Sequence, residues 1–230
     1  MTVRVITPPI VEPLTLDETK LHLRETGTEQ DELIEMLIVS ARQHAEEYTR
    51  RAFVYQELEL SLPSFPIQQT LIDQFPQLYA FAFGQSGASD QTIWLPRPPL
   101  QTIRWVKYID VNGNQQTVDP TLYQVDTAGE PGRVKPTYLN WWQPTRNDFN
   151  AVQIRYYAGY TPISGSPLPV NYLYANLPEG IRQWMRVRIA QLYKNREALV
   201  IVRGSLLDIP RDFVDGLLDP YVIGRLGTQQ

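Results

Sequence analysis

Catalysis or metal binding would have to start from very few residues. The chain has two histidines, His22 and His44, and no cysteine. Neither histidine has a second one at i+3 or i+4, and no H-E-x-x-H spacing exists to hold zinc on a helix face. Without cysteine there is no disulfide, no thiolate ligand and no thiol nucleophile. Ser86 lies in "GQSG" with glycines at the wrong spacing for a nucleophile elbow, and phosphate-cradling glycine loops are absent. Asp110, Asp119 and Asp126 bring hard oxygen ligands, but not at the spacing of a calcium loop. Each falls at a turn, where an Asp side chain ordinarily caps nearby backbone N–H groups. No carboxylate pair stands out for general acid–base work. The reading is therefore of a protein that is not an enzyme, with no catalytic residue, no cofactor and no metal.

Aromatic and charged residues are more informative. Trp94, Trp105, Tyr108, Tyr138, Trp141, Trp142, Phe149, Tyr156, Tyr157 and Tyr160 all fall between residues 94 and 160. Most are expected in the core of a small sheet. Trp141-Trp142, in "YLNWWQPTRND", differs, because adjacent strand residues point to opposite faces. One of the two is then expected at an interface, with stacking on a sugar as the competing use.

The net charge of −4 and pI near 5.3 argue against a generic nucleic-acid or membrane-surface binder. The charge is unevenly spread: through residue 60, twelve acids face six bases. Between 181 and 203, Arg182, Arg186, Arg188, Lys194, Arg196 and Arg203 face only Glu197. Two readings stay open at this point. The acidic and basic flanks pair within one chain, or they meet head to tail between copies, which closes into a ring if the rotation allows.

These groups must be positioned by an ordinary globular fold: 43% hydrophobic and 20% charged residues exclude a disordered chain. "EPLTLDETKLHLRET" opens with a capping box, Thr15 to Glu18, and a short helix with Leu16, Leu21 and Leu23 as its apolar side, ended by Gly27. Thr28 caps a second helix, with apolar positions Leu33, Ile34, Leu37, Ile38, Ala41, Ala45, Tyr48 and Ala52. "VYQELELSLPSF" alternates as a strand. Residues 63–91 read as a long polar loop. Ile93–Leu95, "LYQVD", "GRVKP" and "AVQIRYYAGY" read as short strands. "LPRPPLQTIRWVKYIDVNGNQQTV" is a hairpin: its prolines hold an extended approach, Ile103–Ile109 form a strand, Asn112-Gly113 turn, and Gln116–Val118 return. A third helix runs from about Pro178 to Arg196 and a last one from about Arg211 to Leu218. The expected fold is α+β, with N- and C-terminal helices in a small bundle and an inserted antiparallel β-sandwich or barrel-like module. Its domains are 1–54 with 176–230, and 55–175. No apolar run approaches the roughly 20 residues that span a bilayer. The start, "MTVRVITPPIVEPLTL", lacks a signal-peptide pattern, so synthesis in a cytoplasm is expected.

In order, "PPIVEPLTLDETKLHLR", "SARQHAEEYTRRAF", the hairpin, "YQVD", "PGRVKP", "AVQIRYYAGY" and "QLYKNREA" resemble the head–tail connector proteins of tailed bacteriophages, in a long form with an inserted β module. The resemblance runs from about Ile6 to Leu218. It implies a structural virion protein, made in a host bacterial cytoplasm. Twelve copies would form a ring under the portal at the neck, extending the DNA channel and docking a tail or neck-completion protein. It also favours the inter-subunit reading of the basic flank, Arg182, Arg186, Arg188 and Arg196. Double-stranded DNA must pass such a ring without specific binding, and a lumen rich in Lys and Arg would hold phosphates. Glu29, Asp31, Glu32 and Glu35 are therefore the channel-facing candidates. Tyr221, Val222, Ile223 and Leu226, apolar residues beyond a helix stop, are the candidates for binding the portal. Trp141 and Trp142 are those for the tail side. A carbohydrate-binding β module serving host recognition is the alternative.

Overall fold

The computed structural model describes residues 1–66, 91–146, 148–161, 176–194 and 216–224. The chain divides into two compact units, one of Met1–Pro8 with Gln56–Ala158 and one of Pro9–Tyr55 with Gly159–Arg225.

The helical unit contains α1 (Leu16–Leu23), α2 (Asp31–Thr49) and α3 (Glu179–Lys194). Thr15 starts α1 with its hydroxyl accepting the Glu18 N–H at 3.2 Å. Only half of the expected box forms, because the Glu18 carboxylate is taken by Arg182 and Arg186 instead of the cap backbone. The helix ends at Arg24 in the left-handed region (φ 62), where Arg24 and Glu25 donate back to Leu21 and Lys20; Gly27 lies beyond this cap. α2 begins after Gln30 with no side-chain cap, so Thr28 does not play that part. Ile34, Ile38, Ala41 and Ala45 of α2 meet Ile181, Trp184, Met185 and Ile189 of α3 in one core, with Leu14, Phe53 and Val54. Leu16 and Leu23 lean on this core, whereas Leu21, assigned to the same side from spacing, points to solvent. The expected last helix lies mostly outside the described residues; its end, 216–218, is a turn that leads into a 3-10 turn at Asp219–Tyr221.

The β unit has two open antiparallel sheets, and neither closes into a barrel. The larger has the order β1-β2-β8-β4-β5, from β1 (Thr2–Thr7), β2 (Gln56–Leu62), β4 (Leu100–Ile109), β5 (Gln115–Thr117) and β8 (Val152–Ala158). The smaller has β3 (Ile93–Leu95), β7 (Gly132–Pro136) and β6 (Tyr123–Asp126) in that order. The hairpin forms as its residue types require: Lys107, Tyr108 and Ile109 pair with Thr117, Gln116 and Gln115, and Gly113 turns at φ 88. Asp110 caps that turn, accepting N–H groups of Asn112 and Asn114 at 2.9 Å each. Asp119 and Asp126 likewise cap Thr121 and Ala128.

β1 is a correction to the sequence reading, which placed its residues with the helices. "TVRVIT" alternates as a strand should, but its six residues precede two prolines and lack flanking turn signals. It is an edge strand, paired with β2 from Thr2↔Ser61 to Thr7↔Glu57. Its partner β2 is buried on both faces. Leu58 and Leu60 share the apolar face with Ile154 and Tyr156 of β8. Burial pushes the Tyr156 hydroxyl's pKa up, and that hydroxyl donates to the Pro96 carbonyl at 2.8 Å. At Gly132 a Cβ would stand 2.5 Å from Leu100 Cβ, so only glycine allows β7 so close to the start of β4.

Candidate functional site

No group of three or more His, Cys, Asp or Glu among the described residues is placed to hold a metal ion. No described helix is long and apolar enough to cross a membrane. What distinguishes the two units is where charges are paired and where large apolar groups are exposed.

On the second face of the large sheet, ion pairs cross four strands. Glu59 of β2 receives Arg4 of β1 and Arg155 of β8, both at 2.5 Å. Glu57 receives Arg104 of β4 at 2.6 Å and the Thr7 hydroxyl at 3.1 Å. Arg155 also lies 4.8 Å from the Trp105 ring centroid, with Lys107 on the same ring at 4.7 Å. Burial pushes both carboxyls up, but the arginine hydrogen bonds and charges outweigh it and hold them below the ordinary 4.5.

In the helical unit, Arg182 and Arg186 do not form a free basic flank. Arg182 reaches the two Glu18 oxygens at 2.8 and 3.1 Å, Arg186 bonds the same carboxylate, and Arg186 also reaches Glu179 at 2.6 Å. Pairing within the chain thus accounts for these two. Burial raises the Glu18 carboxyl, but the hydrogen bonds from Arg186 and Arg182 pull it below its usual range. Arg188 is half-buried with Gln191 beside it at 3.4 Å, and Arg196 lies outside the described residues. Of the acidic candidates, Glu29, Glu32 and Glu35 are exposed, whereas Asp31 pairs with Lys20 at 2.6 Å.

These pairs carry a pH prediction. Glu18, Glu57 and Glu59 are all depressed in the folded state, so their contribution to stability is full above the unfolded value near 4.5. It is lost as pH falls through their lower folded values. Thermal midpoints should be level from pH 7 to about 5 and fall steeply below. Glu18→Gln should start lower at pH 7 and fall less on acidification; an unchanged slope would mean that Glu18 is not paired.

The tail candidates are held by their own unit. Tyr221 packs on the helical core, its carbonyl accepts Arg51 Nε–H at 2.6 Å, and Ile223 N–H donates to Thr49 at 3.0 Å. Sequence periodicity could not show this, because the contacts reach back to the end of α2. Val222 is exposed, and Leu226 lies outside the described residues.

The tryptophan pair splits as its types suggest, although it lies in a loop and not in a strand. Trp142 is 2% exposed, stacks on Phe65 at 4.6 Å and 4°, and donates Nε1–H to Gln91 O at 2.7 Å. Trp141 is 48% exposed. Tyr138, Leu139 and Phe149 of the same loop are more exposed still. The loop is nonetheless well tied. Thr137 N–H bonds Leu122, Thr145 bridges to Asp110, and Arg146 N–H bonds Ile109.

Residues 13–92 match the model of a family described as phage gp6-like head-tail connector proteins. The resemblance to head–tail connectors is thereby shown. The match spans α1, α2, β2 and the residues up to the start of β3. Among solved structures, the chain is similar to one in the neck of an empty GTA particle computed with C6 symmetry. Identity is 17%, with 99% of this chain and 98% of that chain covered and a TM-score of 0.67. It is also similar to a chain of the virion of a native gene transfer agent particle, at 16% identity, the same coverage and a TM-score of 0.68. A chain in the neck of a native GTA particle computed with C12 symmetry gives 16%, again 99% and 98%, and 0.63. At these identities the fold is what is shared. No curated protein matches.

Proposed function

We propose that this chain is a structural neck protein of a tailed phage or phage-like particle, a connector that forms a ring of twelve under the portal and docks the tail or the next neck protein. The observation that carries the reading is the fold shared over nearly the full length of both chains with proteins described as neck components, with a connector-family segment at its N-terminal part. In this reading the helical unit builds the ring. Exposed Glu29, Glu32 and Glu35 face the channel, where negative charge keeps DNA moving. Val222, beside the anchored Tyr221 and Ile223, begins the portal contact that Leu226 continues. Arg188 and Arg196 remain for contacts between copies, since Arg182 and Arg186 are engaged within the chain. The β unit displays the Trp141 loop.

Single-particle imaging with mass determination tests this, on the purified protein over a concentration series and with its co-encoded portal. Rings of about a dozen copies, alone or on the portal, are the expected result. A chain that stays monomeric in both settings and shows tryptophan fluorescence changes on adding saccharides would replace the connector with a glycan-binding module.

A further inference from the structure

β1 is the edge strand of the large sheet, and β2 is the strand it pairs with. Thr2, Arg4, Val5, Ile6 and Thr7 are exposed and Val3 is half-buried, so β1 adds no side chain to the buried core. β2 depends on it all the same. Arg4 and the Thr7 hydroxyl donate to the buried Glu59 and Glu57 carboxylates, and Val3 and Val5 lie opposite Leu60 and Leu58. A β2 with no strand on this side would leave buried acceptors short of donors and a row of backbone groups unpaired.

The connection that follows β1 is held at its two ends only. The chain passes from the β unit to the helical unit between Pro8 and Pro9. Thr7 is fixed on β2, and Glu12 is fixed on Arg42 at 2.6 Å. Between them, Pro8, Ile10 and Val11 are exposed, and among the described residues no hydrogen bond holds Pro8–Val11. Pro8 and Pro9 fix φ near about −65° and remove two backbone donors, so this stretch cannot join a helix or a ladder. A strand bound to one neighbouring strand and joined to the rest of the chain by such a hinge is the kind of element that copies exchange. Every contact it makes is regained on the identical surface of another copy.

We propose that on assembly β1 of each copy leaves its own β2 and pairs, in the same register, with β2 of the next copy. Arg4 then bonds Glu59 of that next copy, and Thr7 bonds its Glu57. The giving and receiving surfaces differ, so the exchange is head to tail, the type that repeats around a ring. A closed ring fills every β2, and no carboxylate pair is left open. The proposal rests on the ring reading above and assigns to it one contact between copies.

The chain has no cysteine, so a pair placed across β1 and β2 reports where β1 lies. Thr2→Cys/Ser61→Cys changes two small side chains at directly opposed positions, where antiparallel Cα atoms are within disulfide reach. Circular dichroism checks that the fold is kept. The full chain is assembled in solution and on its co-encoded portal, oxidised, and then denatured without reductant. Exchange predicts a ladder of covalent multimers up to the copy number of the ring, with loss of the internally bridged monomer that the unassembled protein gives. A second format separates the two thiols. Copies with Thr2→Cys alone, mixed with tagged copies that carry Ser61→Cys alone, should form covalent heterodimers on assembly. Rings whose chains are bridged only within themselves overturn the exchange and leave the ring reading standing, as do rings with no bridge in either format. Covalent dimers and nothing larger mean a reciprocal exchange between two copies and also overturn the proposal. Protein that forms no assembly in either setting overturns both.

Discussion

Gly159→Ala is expected to destabilise the helical unit by roughly 3 kcal/mol or more, among the largest effects of any single methyl group in this chain. Gly159 follows β8 directly and has φ +104, where side-chain-bearing residues are strained. Space makes it worse. An added Cβ would stand 2.1 Å from the Val54 carbonyl oxygen, 2.4 Å from its carbon and 2.9 Å from Tyr55 N. These are backbone atoms and cannot swing aside as a side-chain tip would. Nor can their segment retreat, because Phe53 and Val54 are buried in the helical core. Urea unfolding followed by circular dichroism should show a much lower midpoint, or no folded baseline. Gly27→Ala is the control: nothing lies within 4 Å of its Cβ position and its φ is not positive. That change should be neutral or stabilise by a few tenths of a kcal/mol. Equal effects of the two would mean that the strands leaving and re-joining the helical unit do not run side by side at Val54 and Gly159.

Local rules decided what could be read from sequence here. The hairpin, the three turn-capping aspartates and the apolar stripe of α2 each depend on residues within one turn or one helix, and they are found, except that Tyr48 of the stripe is exposed and Ala52 lies beyond the end of the helix. The errors arise where a distant group competes for a local one. Thr15 caps α1 as expected, but Glu18 leaves the box because two guanidiniums from α3 offer it more than one cap N–H does. Tyr221 reads as a loose tail residue until the end of α2 supplies Arg51 and Thr49 to hold the backbone around it. β2 is the sharpest case. Its "QELEL" pattern has the period of a strand with one wet face, yet Glu57 and Glu59 are covered. Three arginines from three other strands lie over them, and pairing across a sheet depends on register that one strand alone does not reveal. The exposed aromatic loop was half legible. Adjacent tryptophans implied one outward ring, but the outward turn of Tyr138, Leu139 and Phe149 depends on left-handed backbone that ordinary residue types do not announce.

Glu46→Ala should cost about as much as the glycine change, about 3–5 kcal/mol, because it breaks a buried ionic clamp from one side. Glu46 Oε2 receives Arg42 Nη1–H at 2.8 Å, and Oε1 receives the Phe53 N–H at 2.7 Å. Arg42 in turn holds Glu12 through Nε at 2.6 Å and Nη2 at 3.1 Å. Burial works against the Arg42 charge, but Glu12 and Glu46 more than restore it, raising its pKa above the ordinary value. Removing Glu46 leaves a fully buried backbone N–H with no acceptor and a guanidinium with one carboxylate where it had two. Glu46→Gln separates these terms: an amide oxygen can still accept from Phe53, so only the charge balance is lost and the cost should be smaller. Arg42→Met/Glu46→Leu should recover part of the loss from Arg42→Met alone, because Glu12 is partly exposed and can be solvated. Chemical denaturation of these four variants and of Glu46→Leu against wild type closes the cycle and gives the coupling energy. If Glu46→Ala costs less than about 1 kcal/mol, the clamp is not closed in solution. Glu12, Arg42 and Phe53 lie on the segment preceding α1, on α2 and on the stretch leading to β2, all within the connector-family match or one residue of its start. A buried guanidinium shared by two carboxylates fixes those segments to one another with direction as well as energy.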